Sequence, residues 1–214
     1  KNQKDNNLQL STAQQKAFDE ISNAFEEKEV CLLHGVTSSG KTEIYIRLIE
    51  SHIASGKQVL YLLPEIALTT QLVGRLTAHF GNQVAVFHSK YTNNERVEVW
   101  KQVLGNPPKA KIVIGARSAL FLPFRDLGLV IIDEEHEQTF KQYDPAPRYH
   151  ARDAVIVLAN YFKSKVLLGS ATPSLETYFN ASGGKYGLVE ITERFGNVML
   201  PEIELVDLKD KYFR

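Results

Sequence analysis

The sequence predicts an α/β fold, a mostly parallel sheet with helices on both faces. Three observations predict it. Short apolar runs alternate with stretches of helical period along most of the 214 residues. Each apolar run is almost unbroken, as a strand covered on both faces must be. Each cluster of polar, chemistry-bearing residues starts directly after such a run, where the carboxyl end of a parallel strand would present it.

The elements follow in order. Residues 1–9 are polar and are expected to be flexible. Ser11 suits an N-cap, and Ala17, Phe18, Ile21 and Phe25 fall on one face of a first helix. Val30 to His34 reads as the first buried strand, and a helix carrying Ile44, Ile46, Leu48 and Ile49 follows the glycine-rich turn after it. Gly56 to Leu63 is a second strand closed by Pro64, and Pro64 to Thr69 leads into a helix that runs to about Phe80. Val84–Phe87, Lys111–Gly115, Leu127–Ile132 and Val166–Gly169 supply four more strands, with helices at 93–104 and 151–161. The stretch from 183 to 214, with Gly183, Gly184, Gly196 and Pro201, is less regular, and reads as an extension or linker after a domain at 10–182.

The most specific stretch is Gly35-Val36-Thr37-Ser38-Ser39-Gly40-Lys41-Thr42, the spacing of a phosphate-binding loop, set between a strand and a helix. Its backbone N–H groups would cradle phosphate oxygens, aided by the positive end of the helix dipole. Lys41 would reach the β- and γ-phosphates and the Thr42 hydroxyl would ligate Mg²⁺. After the fifth strand stands Asp133-Glu134-Glu135-His136. There Asp133 would hold Mg²⁺ through water and Glu134 would polarise the water attacking the γ-phosphate. After the sixth strand, Ser170 and Thr172 could bond His136 or the acidic pair and report the state of the nucleotide. Alternatively Thr172 or Ser174 starts a helix as its N-cap.

Bulk properties restrict the partners. The 25 basic and 25 acidic residues cancel, so nucleic acid would be held by local patches rather than by a global basic field. Cys31, alone of its kind and inside the first strand, is expected to pack in the core, and rules out an internal disulfide or a cysteine-rich zinc site in these residues. No apolar run reaches membrane-spanning length, and no membrane partner is expected; a cytoplasmic protein fits best. His34 and His88 lack metal-type partners and read as local hydrogen-bonding residues.

Six blocks then appear together. They are 35–45, Leu63-Pro-Glu-Ile-Ala-Leu-Thr69, Ile112 to Phe121, Asp133-Glu-Glu-His136, Tyr149-His-Ala-Arg-Asp153 and Gly169-Ser-Ala-Thr-Pro173. In this order they resemble the first, RecA-like motor lobe of superfamily 2 helicases of the DEAH-box kind, and within these the PriA family of replication-restart helicases. The family's loop commonly has glycine where this chain has Ser38, a substitution that costs little if φ stays negative there. The resemblance implies an ATP-dependent DNA helicase and ATPase, using ATP and Mg²⁺ and moving 3′ to 5′. It would act on forked or single-stranded DNA in replication restart and primosome assembly, with primosome proteins and single-strand binding protein as partners. It also implies that a DNA-binding domain, a second lobe with an arginine finger and a zinc insertion lie elsewhere. Zinc is therefore expected only outside these residues, and the lobe alone should hydrolyse ATP very slowly.

The resemblance further assigns Gln14 to reading adenine, the alternative being an exposed helix residue. Pro64, Glu65, Thr69, Gly115, Arg117 and Ser118 match strand ends lining a DNA track, with a salt-bridge role as the alternative for Arg117. In the loop 139–150, aromatic and basic residues alternate. Phe140 and Tyr143 would stack on bases of any sequence while Lys141 and Arg148 meet the backbone. The alternative is that Phe140 and Tyr149 pin the loop to the domain. A rival reading from another class is an ATP-gated DNA- or protein-binding module that does not unwind. A nuclease or metal hydrolase is disfavoured, since it leaves the phosphate loop unexplained.

Overall fold

The computed structural model describes residues 9–37 and 39–193. The expected flexible start, Ser38 and the tract 194–214 lie outside the described residues, apart from Gln9. Helix α1 (Thr12–Glu27) precedes β1 (Val30–Gly35), followed by α2 (Lys41–Ala54), β2 (Gln58–Leu62), α3 (Thr70–Phe80), β3 (Val84–Phe87) and α4 (Asn93–Leu104). Then come β4 (Ile112–Gly115), β5 (Leu127–Asp133), α5 (Ala151–Phe162), β6 (Lys165–Ser170), α6 (Leu175–Ser182) and β7 (Gly187–Ile191). The strands form one sheet in the order β3-β4-β2-β5-β6-β1-β7, every pairing parallel.

Alternation along the strands divides the core into two layers. Leu32, Leu60, Leu62, Val130, Ile132 and Leu168 face α4 and α5. Leu33, Val59, Tyr61, Ile114, Ile131 and Leu167 face α1, α2 and α3. The central strands are therefore apolar along most of their length, with polar residues such as Gln58, His34 and Asp133 only at or near their ends, which is why their sequence runs are almost unbroken. Cys31 is buried, and burial pushes its thiol up to about 12, so it packs as expected.

Register positions the chemistry. Leu62 pairs with Gly115 on one side and with Ile132 on the other. Asp133 stands beside Gly169, and Ser170 beside His34. The carboxyl ends of β4, β2, β5, β6 and β1 thus line one edge of the sheet, with the loops they launch as neighbours.

One boundary differs from the sequence expectation. Gly187–Ile191, assigned above to an extension after 182, pairs with β1 and adds a seventh strand that also packs against α1. As an edge strand, β7 buries only Val189 and Ile191 while Leu188 and Glu190 face outward, so its five residues lack the continuous apolar run that marks the inner strands.

Candidate nucleotide and DNA site

The phosphate-loop residues fold as their spacing demands. Gly40 adopts φ +78°, open to glycine at little cost, and a Cβ there would run into the Gln14 side-chain amide. A Cβ on Gly35 would approach Ser39 Oγ to 2.9 Å. Helix α2 begins at Lys41 without a side-chain cap, so its first N–H groups face the loop. Ser39 Oγ is buried and has no hydrogen-bond partner among the described residues. A hydroxyl left unpaired inside a glycine-shaped cradle at a helix N-terminus fits a phosphate ligand. Lys41 Nζ donates to the Gly35 carbonyl at 2.9 Å, which folds its ammonium over the same cradle.

Gln14 is neither exposed nor idle. Ser11 caps α1, and Gln14 closes a capping box by accepting from Ser11 N at 2.8 Å. Its amide also donates to the Gly40 carbonyl at 3.2 Å, so it stands against the phosphate loop, 1% exposed.

Asp133 ends β5 beneath two buried phenols. Tyr45 of α2 donates to its Oδ1 at 3.0 Å and Tyr61 of β2 to its Oδ2 at 3.2 Å. Burial raises the Asp133 carboxyl above the usual range and the Glu134 charge adds to this, while the Tyr45 hydrogen bond and the Lys41 ammonium oppose it. Burial and the nearby carboxylate push both phenols well up, so they remain donors at neutral pH. Gly169 belongs to this assembly, because a Cβ there would overlap the Tyr45 hydroxyl.

Glu134 has φ +52°, a left-handed backbone, with its N–H on Asp133 Oδ1 at 3.2 Å. His136 lies 3.7 Å from the Glu134 carboxylate. Its Nδ1 meets Ser170 Oγ at 2.8 Å and its Nε2 lies 3.4 Å from Thr172 Oγ1. Both alternatives for this stretch therefore coexist. Ser170 and Thr172 reach His136, while Ser174 caps α6.

The expected track residues divide. Pro64, Glu65, Arg117, Lys141 and Tyr143 line one cleft of about 530 Å³. Arg117 has no salt-bridge partner among the described residues; it donates to the carbonyls of Thr139 and Lys141, both at 3.0 Å, and so holds the aromatic loop. Thr69 caps α3, and Ser118 and Arg148 are exposed. Gly115 is buried, its carbonyl already bonded to Leu63 N, and a Cβ there would lie 2.5 Å from the Phe87 carbonyl. Its requirement is packing.

Phe140 must be corrected. Its ring is 1% exposed and packs with Leu122, Ala151 and Val155 in the core, so it anchors the loop and is not available to stack. Tyr143 is 58% exposed with the Lys141 ammonium 5.0 Å from its ring centre. His34 and His88 bond locally, to Glu190 and to Lys90 N.

Several residues of the site carry no legible sign in the sequence. Tyr45 lies in the block 35–45 and Tyr61 in the second strand, and neither pattern assigns the side chain a role. Glu135, wholly buried, accepts from Arg152 and from the start of α6.

A family model described as "DEAD/DEAH box helicase" matches residues 11–180. The chain is 45% identical over 206 residues to "Replication restart protein PriA" of Bacillus subtilis, covering 95% of this chain and 25% of that protein. It is 46% identical to the protein of that name from Haemophilus influenzae, covering 97% of this chain and 28% of that one. The chain thus spans about a quarter of the length of these relatives. Among solved structures it resembles RecG bound to a three-way DNA junction, with TM-score 0.63 and 26% identity, covering 88% of this chain and 24% of that one. The helicase MrfA bound to DNA, at TM-score 0.61 and 18% identity, covers 86% of this chain and 27% of its own, and shares the fold.

Proposed function

The chain belongs to the DEAD/DEAH box helicase family, and from that premise we propose that it is the ATP-binding, RecA-like motor lobe of a replication-restart DNA helicase. The lobe binds ATP on the loop 35–42, with Lys41 exchanging its bond to the Gly35 carbonyl for the β- and γ-phosphates. Ser39 Oγ gains the partner it lacks, and Gln14 reads the adenine from its seat beside Gly40. Mg²⁺, when bound by Thr42 and Asp133, supplies charge neutralisation at the transferring phosphoryl group. Tyr45 and Tyr61 fix the Asp133 carboxylate in place, and Glu134 orients the attacking water and takes up its proton. His136, bonded to Ser170, relays the state of this turn to the segment after β6.

DNA lies across the cleft of Pro64, Glu65, Arg117, Lys141 and Tyr143, held without sequence preference by backbone groups, one ammonium and one exposed ring. Forked or single-stranded DNA is the substrate, movement is 3′ to 5′, and primosome proteins and single-strand binding protein are partners of the full-length protein. The family resemblance supports these last assignments. Among the described residues no helix is long and apolar enough to cross a membrane. A cytoplasmic location is proposed from the resemblance to replication-restart proteins alone.

The observation that carries the reading is the acidic turn itself. It is bonded to the phosphate-loop helix through Tyr45 and to the post-β6 segment through His136, so one turn serves both. Lys41→Ala tests it. The variant should lose most ATP affinity in a calorimetric titration, and unchanged affinity would remove the nucleotide-site assignment.

A further inference from the structure

Glu135 is the third residue of the acidic turn, and the nucleotide chemistry above does not use it. None of it is exposed. Its Oε1 accepts from Ser174 N at 2.6 Å. Its Oε2 accepts from Thr177 Oγ1 at 2.8 Å, Ser174 Oγ at 3.1 Å and Arg152 Nη1 at 3.2 Å. Arg152 Nη1 also donates to Ser174 Oγ at 2.6 Å. A single carboxylate thus joins the acidic turn after β5, the second residue of α5 and the first turn of α6.

Stability alone is a weak reason for such a network. A buried ion pair is often no better than apolar residues of the same volume, because desolvation offsets the attraction. What the pair provides is geometry. Glu134, immediately before it, has a left-handed backbone that a residue with a side chain holds only when its neighbours over-determine it. Asp133 is fixed on one side by two phenols, and Glu135 on the other by four donors.

Arg152 leads from that turn to the DNA cleft. Helix α5 starts at Ala151, capped by His150, where the aromatic loop ends. The loop closes on itself through the antiparallel bridge between Lys141 and His150 and through Gln142 N to the Tyr149 carbonyl at 2.8 Å. Arg117, in the wall of the cleft, holds the carbonyls of Thr139 and Lys141. A shift of the loop therefore displaces the first turn of α5, and with it the guanidinium that seats Glu135.

We propose that Glu135 and Arg152 are positioning residues that transmit occupancy of the DNA cleft to the backbone of Glu134, and so set the rate of hydrolysis. This rests on the function proposed above. Each step of the connection is a hydrogen bond or a covalent neighbour, with no gap to bridge.

The test compares wild type, Arg152→Lys, Glu135→Gln and Thr177→Val in the full-length protein, with Lys41→Ala alongside. Three quantities are measured: the melting temperature, the Kd for a fluorescent ATP analogue, and ATPase kcat and KM against a single-stranded oligonucleotide. Arg152→Lys and Glu135→Gln should bind the analogue within about twofold of wild type and keep KM for ATP, while DNA-stimulated kcat falls about tenfold. Thr177→Val keeps its shape and loses one of the four donors, so it should lose about threefold even if the other two fail to fold. A purely structural role would lower the melting temperature and leave kcat of the folded protein alone. DNA-stimulated kcat within twofold of wild type in any folded variant would overturn the proposal. Undiminished ATP binding by Lys41→Ala, or a wild type insensitive to DNA, would overturn the functional reading and this proposal with it.

Discussion

Phe140 and Tyr143 lie three residues apart in the same loop, and replacing each with alanine should give opposite results. Phe140 is fully buried in the layer of core beneath α5, and truncating such a ring costs about 3–5 kcal/mol in lost burial and residual cavity. At roughly 2–4 °C per kcal/mol for a domain of this size, Phe140→Ala should lower the melting temperature by about 6–20 °C. Tyr143 is 58% exposed, and its ring meets the Lys141 ammonium on the surface. Its removal should change stability by no more than about 0.5 kcal/mol. A base stacked on the ring is worth about 1–3 kcal/mol, so Tyr143→Ala should weaken single-stranded DNA binding roughly 5- to 150-fold. Thermal melts followed by fluorescence and oligonucleotide binding by anisotropy at fixed salt read the two quantities separately. A Phe140→Ala protein that melts within 2 °C of wild type, on the order of the scatter expected for a surface change, would refute the packing argument. A Tyr143→Ala protein with wild-type DNA affinity would refute the stacking role.

Two further outcomes follow from the Asp133 assembly. Burial raises the Asp133 carboxyl in the folded state, so the native protein holds that proton more tightly than the unfolded chain. The associated stability is present below the ordinary carboxylate range and is lost as pH rises through the raised value, so the ionised group opposes folding at neutral pH. In chelator-containing buffer at pH 7, Asp133→Asn should therefore be more resistant to urea than wild type, with the difference shrinking toward pH 4; a difference that grows in acid would count against the burial argument. Gly169→Ala would set a methyl against the Tyr45 hydroxyl and should cost about 1–3 kcal/mol. Tyr45→Phe should recover part of that loss in the double mutant, and strictly additive urea midpoints would show that the two do not meet.

The fold and the phosphate loop were legible for two physical reasons: inner parallel strands must be apolar along most of their length, and a phosphate cradle needs glycine and lysine at fixed spacing. Six strands, the Ser11 cap and the polar residues at the strand ends could all be read that way. Strand β7 could not, because an edge strand of five residues with one face in solvent leaves only Val189 and Ile191 as a signal. Nor could the sequence separate Phe140 from Tyr143, since both are aromatic and the loop has no regular period to tell inside from outside. The resemblance singles out Gln14, but not as the partner of Gly40, a contact between residues 26 apart that exists only once α1 lies against the loop. The pairing of Glu135 with Arg152 spans 17 residues and three elements, and charges at that separation carry no local pattern.

The acidic turn is also where local preference and the fold disagree. A glycine at position 134 would take φ +52° freely, yet the proposed hydrolysis needs a carboxylate there, and a residue so placed costs about 1–3 kcal/mol. The neighbours explain how it persists. Asp133 is held through hydroxyls from α2 and β2, so its position answers to the phosphate loop's own helix. Glu135 is held from α5 and α6, so its position answers to the aromatic loop and to the segment after β6. Glu134 lies between two anchors, one on the proposed nucleotide side and one on the proposed DNA side. On the proposal above, relaxing either one releases part of the strain and lets the carboxylate move. A strained residue with one anchor would only be unstable. With two, its position would depend on both the proposed nucleotide side and the proposed DNA side.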